Sequence, residues 1–364
     1  MSKAVQRIGF ALVPVLISLL ITALIIVIAG ADPLAVFQSV LEGAFRSTSA
    51  FGGVVNFWIP LALCSMGLIV TFTAGLWNIG VEGQMVMGAI AASGVARSLG
   101  ESLPNEALIP LEILAAMIGG GGWALIVGIL KTRLGVHEIF GGVALNALAN
   151  VYAIYLISGP WTPPEGGSAQ STSPFPTAAL YQRASGDFPV SLLGLGIALA
   201  AILLVALALR GTRWGLHLKA TGKNAKSALL LGVPTVQSAL TAFMVCGALA
   251  GIAGSYRALL TYGSLRPFIS GGIGFLALLV VLVAASRPVW TTLIALIFAV
   301  ILGGSTRLRV ALQLDQSLAG VLQGTVVLLV LLANGLRQRL AEPRRPRKEA
   351  PRATVERQRS VIID

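Results

Sequence analysis

Charge is scarce in this chain: Asp, Glu, Lys and Arg make up 11% of its 364 residues, against about 25% in an ordinary soluble domain. A water-soluble protein of this size could not cover its surface with so few ionised groups. A disordered one would not be 56% hydrophobic. Two histidines, His137 and His217, leave little for a His-based metal site. The two cysteines, Cys64 and Cys246, lie in apolar stretches and imply no disulfide framework. Catalytic signatures are missing too. There is no His-Glu-x-x-His, no Gly-x-Ser-x-Gly, no Cys pair at zinc spacing and no intramembrane Asp pair. Gly222-Lys223-Asn224 fails as a phosphate loop, because His217 replaces its first Gly and Asn224 its Ser or Thr. The apolar stretches also lack the chains of Asp, Glu and His expected of many proton-coupled carriers.

What is present is apolar length. A mean hydropathy of +0.86 leaves an all-α polytopic membrane protein, in which lipid is the solvent of the outer surface. Runs of about 20 mostly apolar residues predict about ten spans: 8–29, 54–74, 81–96, 108–130, 139–158, 189–209, 237–257, 272–286, 289–305 and 318–334. The third, eighth and ninth are short, and a short element can be re-entrant. Alternating the spans from a cytoplasmic N-terminus collects Lys3, Arg7, Lys131, Arg133, the stretch Arg210 to Lys226, Arg287 and a basic tail on the inside. The outside keeps only Arg46, Arg97, Arg183, Arg257, Arg266, Arg307 and Arg309. That asymmetry predicts cytoplasmic N- and C-termini. It also accounts for the net charge of +12 without a nucleic-acid partner. Lys3 and Arg7 before an apolar run resemble a signal peptide as well, but the run exceeds the usual core of about 7–15 residues.

The apolar body thus covers 1–336, with two polar insertions. Residues 159–188, rich in Pro, Gly and Ser, read as an ordered external loop. Residues 210–236 form the most basic internal segment. The tail, 337–364, is charged, nearly free of aromatics and expected to be disordered. Its cluster Arg344-Arg345-Pro346-Arg347-Lys348 would meet anionic membrane lipids, or would serve only to orient the chain.

Polar groups inside the spans each need a reason. Asn78 and Glu82, four residues apart, share a helix face beside Gly80 and Gly83, which allow close backbone approach. A charged carboxylate in lipid costs about 2.5–3.5 kcal/mol. Glu82 therefore either caps a neighbouring broken helix or faces a permeating solute. Asn146 and Asn150 repeat the spacing, and amides there serve either as glue between helices or as contacts along a pathway. Glu112 lies near the outer end of its span, at headgroup level. Gly119-Gly120-Gly121-Gly122 lets another helix pack tightly or lets its own helix break. His137 and Glu138 read as a boundary pair rather than as metal ligands.

Gly75-Leu76-Trp77-Asn78-Ile79-Gly80-Val81-Glu82-Gly83-Gln84-Met85 closely resembles a motif of the ABC-importer permeases that include the ribose, galactoside and branched-chain amino-acid permeases. Leu145-Asn146 followed by Tyr155-Leu156-Ile157-Ser158-Gly159-Pro160-Trp161 looks like the nucleoside branch, whose binding proteins are basic-membrane-type lipoproteins. A third stretch, Gly215-Leu216-His217-Leu218-Lys219-Ala220-Thr221-Gly222-Lys223-Asn224-Ala225 with Ala228 and Gly232, is similar to the family's cytoplasmic coupling segment. There Asn224 before Ala225, Lys226, Ser227 and Ala228 suits a capped short helix. Relatives commonly carry Pro and an acidic residue at positions 225 and 226, so any salt bridge from that acid is missing here.

The resemblance implies a type II importer-like fold with a weak inverted repeat. Gly80-Val81-Glu82-Gly83, opening the third span, echoes Gly272-Ile273-Gly274-Phe275, opening the eighth. It implies a permease subunit in the bacterial inner membrane that translocates nucleosides and has no ATPase site of its own. ATP and Mg would bind a partner ATPase, whose two nucleotide-binding domains are often fused in this branch. A second homologous permease and an external binding lipoprotein complete the machine, and this chain binds no cofactor itself. The pathway residues expected are Asn78, Glu82, Gln84, Asn146 and Asn150. The coupling residues are Gly215, Gly222, Lys223, Asn224, Ala225, Ala228 and Gly232. Competing readings are the same machine importing ribose or galactose, and an ion-coupled carrier whose uptake persists without ATP.

Overall fold

The computed structural model describes residues 17, 20–28, 30–164, 170–308, 324, 325, 328 and 332. The first and tenth expected spans, and the whole tail, lie largely or wholly outside them. Among the described residues every long element is helical: α1 (Leu20–Ile28), α2 (Pro33–Phe45), α3 (Thr48–Thr73), α4 (Val81–Leu99), α5 (Asn105–Leu134), α6 (Glu138–Ser158), α7 (Leu192–Gly211), α8 (Arg213–Lys223), α9 (Ala225–Leu230), α10 (Thr235–Tyr256), α11 (Ile273–Val283) and α12 (Pro288–Ser305). Six of these are long and apolar enough to cross a membrane: α3, α5, α6, α7, α10 with its π-helical extension to Tyr262, and α12.

The count of about ten is therefore not reached, for two reasons besides the residues outside the description. At 11 residues, α11 rises about 16 Å, roughly half of a 30 Å hydrocarbon core. It is a half-helix rather than an eighth full span. The third expected span, α4, has the length but not the apolarity, because Glu82, Gln84, Ser93 and Arg97 interrupt its apolar run, the first three of them buried.

The core is built on glycine. Helix α5 runs unbroken through Gly119-Gly120-Gly121-Gly122, so the quartet serves packing. A methyl on Gly120 would overlap the Gly247 carbonyl oxygen and lie 2.8 Å from Gly251 Cα. One on Gly119 would lie 2.7 Å from Ala91 and 2.8 Å from the Met87 carbonyl oxygen. Gly88 and Gly254 bring α4 and α10 into backbone contact in the same way. Without a hydrophobic force between helices in lipid, such close approach is what holds α4, α5 and α10 together.

Within the 159–188 segment, two backbone bonds reach the chain that follows α10. Thr172 N–H donates to the Leu265 carbonyl (3.0 Å), and Phe175 N–H to that of Gly263 (2.9 Å). Two side chains differ from expectation. Glu112 is fully buried, not at headgroup level, and neither carboxyl oxygen has a hydrogen-bond partner. Arg257, expected in an outer loop, is 4% exposed. Its guanidinium donates to the Tyr262 hydroxyl (2.6 Å) and the Ile269 carbonyl (3.3 Å) and lies over the rings of Phe57 and Tyr262.

Candidate functional site

The polar residues singled out in the sequence meet at the N-terminus of α4. Helix α3 stops at Thr73, and Gly75 turns the chain at φ +74°, in the left-handed region. The five residues from Leu76 to Gly80 then lead into α4. Asn78 and Gln84 are both fully buried and hold each other by reciprocal amide bonds, Asn78 Nδ2 to Gln84 Oε1 (3.0 Å) and Gln84 Nε2 to Asn78 Oδ1 (2.9 Å). Asn78 Nδ2 also reaches Cys246 Sγ on α10 (3.1 Å). A short non-helical segment is thereby clamped within the protein, where irregular backbone at membrane depth is tolerated.

Asn146 joins the cluster from α6. Its Oδ1 accepts the Gly83 N–H (2.7 Å) and its Nδ2 donates to the Ile79 carbonyl (2.9 Å). Both ends of the amide are spent on the break before α4. The approach needs glycine, since a methyl on Gly142 would sit 2.7 Å from Gly80 N. Asn150, one turn on, differs: its Nδ2 donates to the Asn146 carbonyl (3.0 Å), but its buried Oδ1 has no partner.

Glu82 is 5% exposed and accepts three hydrogen bonds. The donors are the Ser270 hydroxyl, Gly272 N–H (2.9 Å) and Gly274 N–H (2.7 Å). Gly272, at φ +78°, is the N-cap of α11, so the carboxylate satisfies free amides at the positive end of that half-helix. The two stretches that echo each other in sequence thus touch. Ser270, Arg257 and Cys246 were not singled out as site residues; the clue for Arg257 was an arginine in an otherwise apolar run. Trp77 is 46% exposed and packs its ring 5.1 Å from that of Phe72. Trp161 lies under the Arg97 guanidinium. Among the described residues, no three His, Cys, Asp or Glu gather as a metal site.

The basic segment forms two consecutive helices. Thr212 caps α8 through its hydroxyl to Gly215 N–H (3.0 Å), and Asn224 caps α9 through Oδ1 to Ser227 N–H (3.0 Å), as its residue type predicts. Gly215 presses on the Ala208 carbonyl of α7, and Trp214 Nε1 donates to Thr241 Oγ1 of α10 (3.0 Å). Gly222 lies against the Thr73 carbonyl, with Gly75 N 2.9 Å from where a methyl would be. This contact joins the end of α8 to the turn that leads into the Asn78 and Glu82 cluster. Ala228 is buried, while Lys223 and Ala225 face out. Gly232 closes the segment at φ +81°. At the last residue of α9 and its C-cap, Leu230 and Leu231 are 88% and 84% exposed.

The family described as "Branched-chain amino acid transport system / permease component" matches residues 50–331. The chain is 30% identical over 332 residues to the glucose ABC transporter permease protein TsgB13 of Haloferax volcanii, covering 89% of this chain and 87% of the relative. It is 25% identical over 338 residues to the guanosine ABC transporter permease protein NupP of Bacillus subtilis, covering 92% and 96%. To the nucleoside ABC transporter permease protein NupB of Lactococcus lactis it is 25% identical, over 84% and 85%.

Proposed function

Because the chain belongs to the branched-chain amino-acid transport permease family, we propose that it is the membrane-spanning subunit of an ATP-driven importer and that its cargo is a nucleoside. The observation that carries the reading is the near full-length likeness to permeases named for guanosine and nucleosides. A sugar cargo is the second reading, favoured by the likeness to a glucose permease.

In this reading a binding lipoprotein delivers the solute from outside, and a second, homologous permease completes the path. The chain sits in the bacterial inner membrane with about ten spans, counting the half-helix, and both termini cytoplasmic. The ATPase, with two fused nucleotide-binding domains, docks on 210–236 and supplies all ATP chemistry. The exposed leucines at the end of α9 and the flanking Lys219, Lys223 and Lys226 suit a partner groove with an apolar floor and an acidic rim. Motion imposed on α8 enters the body where Gly222 meets the Thr73 carbonyl. Glu82 comes seven positions after Gly75, and it holds the start of α11. Asn78, Glu82, Gln84 and Asn146 shape the wall of the path. Asn150 offers it an unpartnered acceptor, and Trp77 offers an exposed ring.

The test is uptake into vesicles containing this chain and its co-purified partners. Labelled nucleosides should accumulate only with ATP, and excess glucose, ribose or galactose should not compete. Accumulation without nucleotide would sink the importer reading. Glucose uptake indifferent to nucleosides would replace the cargo alone.

A further inference from the structure

At the end of α7 opposite α8, the first turns of α5, residues 181–184 and the start of α7 enclose a cleft of about 700 Å³. We propose that this cleft binds a zwitterionic phospholipid whose headgroup carries a primary amine. The inference rests only on the chain's membrane character, not on its cargo.

The rim is built and pinned. Asn105 Nδ2 donates to the carbonyls of Ala178 (2.7 Å) and Leu180 (3.1 Å), and its Oδ1 accepts from Gln182 Nε2 (3.2 Å). Tyr181 is anchored through its hydroxyl to Ser255 Oγ (3.0 Å), and Ala184 N–H donates to the Val190 carbonyl (2.8 Å). On this rim stand one anion and one cation, Glu106 and Arg183, both exposed. Among the described residues neither is part of an ion pair. Arg183 makes a single long bond, Nη2 to the Leu260 carbonyl (3.4 Å).

Below the rim the cleft is apolar, with Ile109 and Ile113 as floor and Leu114, Met117, Leu192 and Leu193 as flanks. From Glu106 to Met117 the α5 axis rises about 17 Å, close to the roughly 15 Å of one leaflet's hydrocarbon. Leu114 and Leu192 are 52% and 62% exposed along that depth. A soluble partner can reach the rim but not this floor, whereas a lipid fills both. The charge pattern selects the headgroup. A phosphate takes Arg183 by charge-assisted bonds while an ammonium takes Glu106. An anionic lipid would leave Glu106 facing like charge, and a quaternary amine has no N–H to give it.

Native mass spectrometry of the purified complex, delipidated and then incubated with phosphatidylethanolamine, phosphatidylcholine or phosphatidylglycerol, tests this. Phosphatidylethanolamine should be retained on the order of fivefold better than the others, a difference expected from one favourable charge contact near a membrane surface. Arg183→Ala should reduce retention of all three and Arg183→Lys should restore it. Glu106→Gln should erase the preference for the primary amine without lowering retention of phosphatidylcholine. Equal retention of all headgroups, or no response to either variant, would overturn the proposal. So would cross-links from residues introduced at 114 and 192 to a second permease, which would make the cleft a subunit interface.

Discussion

Glu82 Oε2 accepts the Gly274 amide at 2.7 Å across 192 residues of sequence, tying the start of α4 to the start of α11. A methyl on Gly274 would lie 2.5 Å from that oxygen and 2.9 Å from Glu82 Cα. Glu82→Ala should strand three donors, two of them buried, at about 1–3 kcal/mol for each buried one, and lower thermal stability in detergent. Glu82→Gln, with one oxygen acceptor left, should fall between. Gly274→Ala should cost about 1–3 kcal/mol by overpacking. Native-like melting of Glu82→Ala would show that the bonds contribute nothing.

Asn146 and Asn150 should separate in their effects. Asn146→Leu leaves the Gly83 N–H and the Ile79 carbonyl unpaired and should destabilise the protein. Asn150→Leu removes a bond within α6 and an oxygen that had no partner. It should leave melting unchanged and lower uptake. Comparing melting temperature with uptake in the same preparations decides, and loss of stability in both variants would make both amides structural.

The glycine quartet offers an internal control. A methyl at Gly122 meets nothing within 4 Å, whereas at Gly120 it overlaps backbone. Gly122→Ala should be neutral or stabilise α5 by up to about 1 kcal/mol. Gly120→Ala should sharply reduce the yield of folded protein, measured by size-exclusion recovery. Equal behaviour of the two variants would argue that α5 and α10 do not pack as described.

For the basic segment, Gly222→Ala should push α8 off the end of α3, because the Thr73 carbonyl cannot yield like a flexible side chain. Asn224→Ala removes the cap of α9, worth about 1 kcal/mol. Both should weaken co-purification of the ATPase while the permease still inserts in the membrane. Unchanged recovery of the ATPase with both variants would place docking elsewhere.

By itself the sequence determined that this is a multi-span helical membrane protein, because 56% apolar residues and 11% charge have no stable home in water. Hydropathy also located the helices from α3 to α12 to within six residues at either end, apart from the two polar helices α8 and α9. Even there, Asn224 announced a cap, since capping is a local matter of one side chain and the next three amides. Tertiary structure decided what local pattern could not express. Glu82 was legible as either a cap or a solute contact, and only the arrival of α11 from residues 270–274 gave its oxygens their donors. The quartet at 119–122 was legible as packing or breakage, and the choice lay with Gly247 and Gly251 more than 120 residues away. Arg257 read as a loop charge until Phe57, Tyr262 and the Ile269 carbonyl surrounded it. In each case the deciding partner was distant in the chain, and its proximity is a property of packing rather than of composition or period.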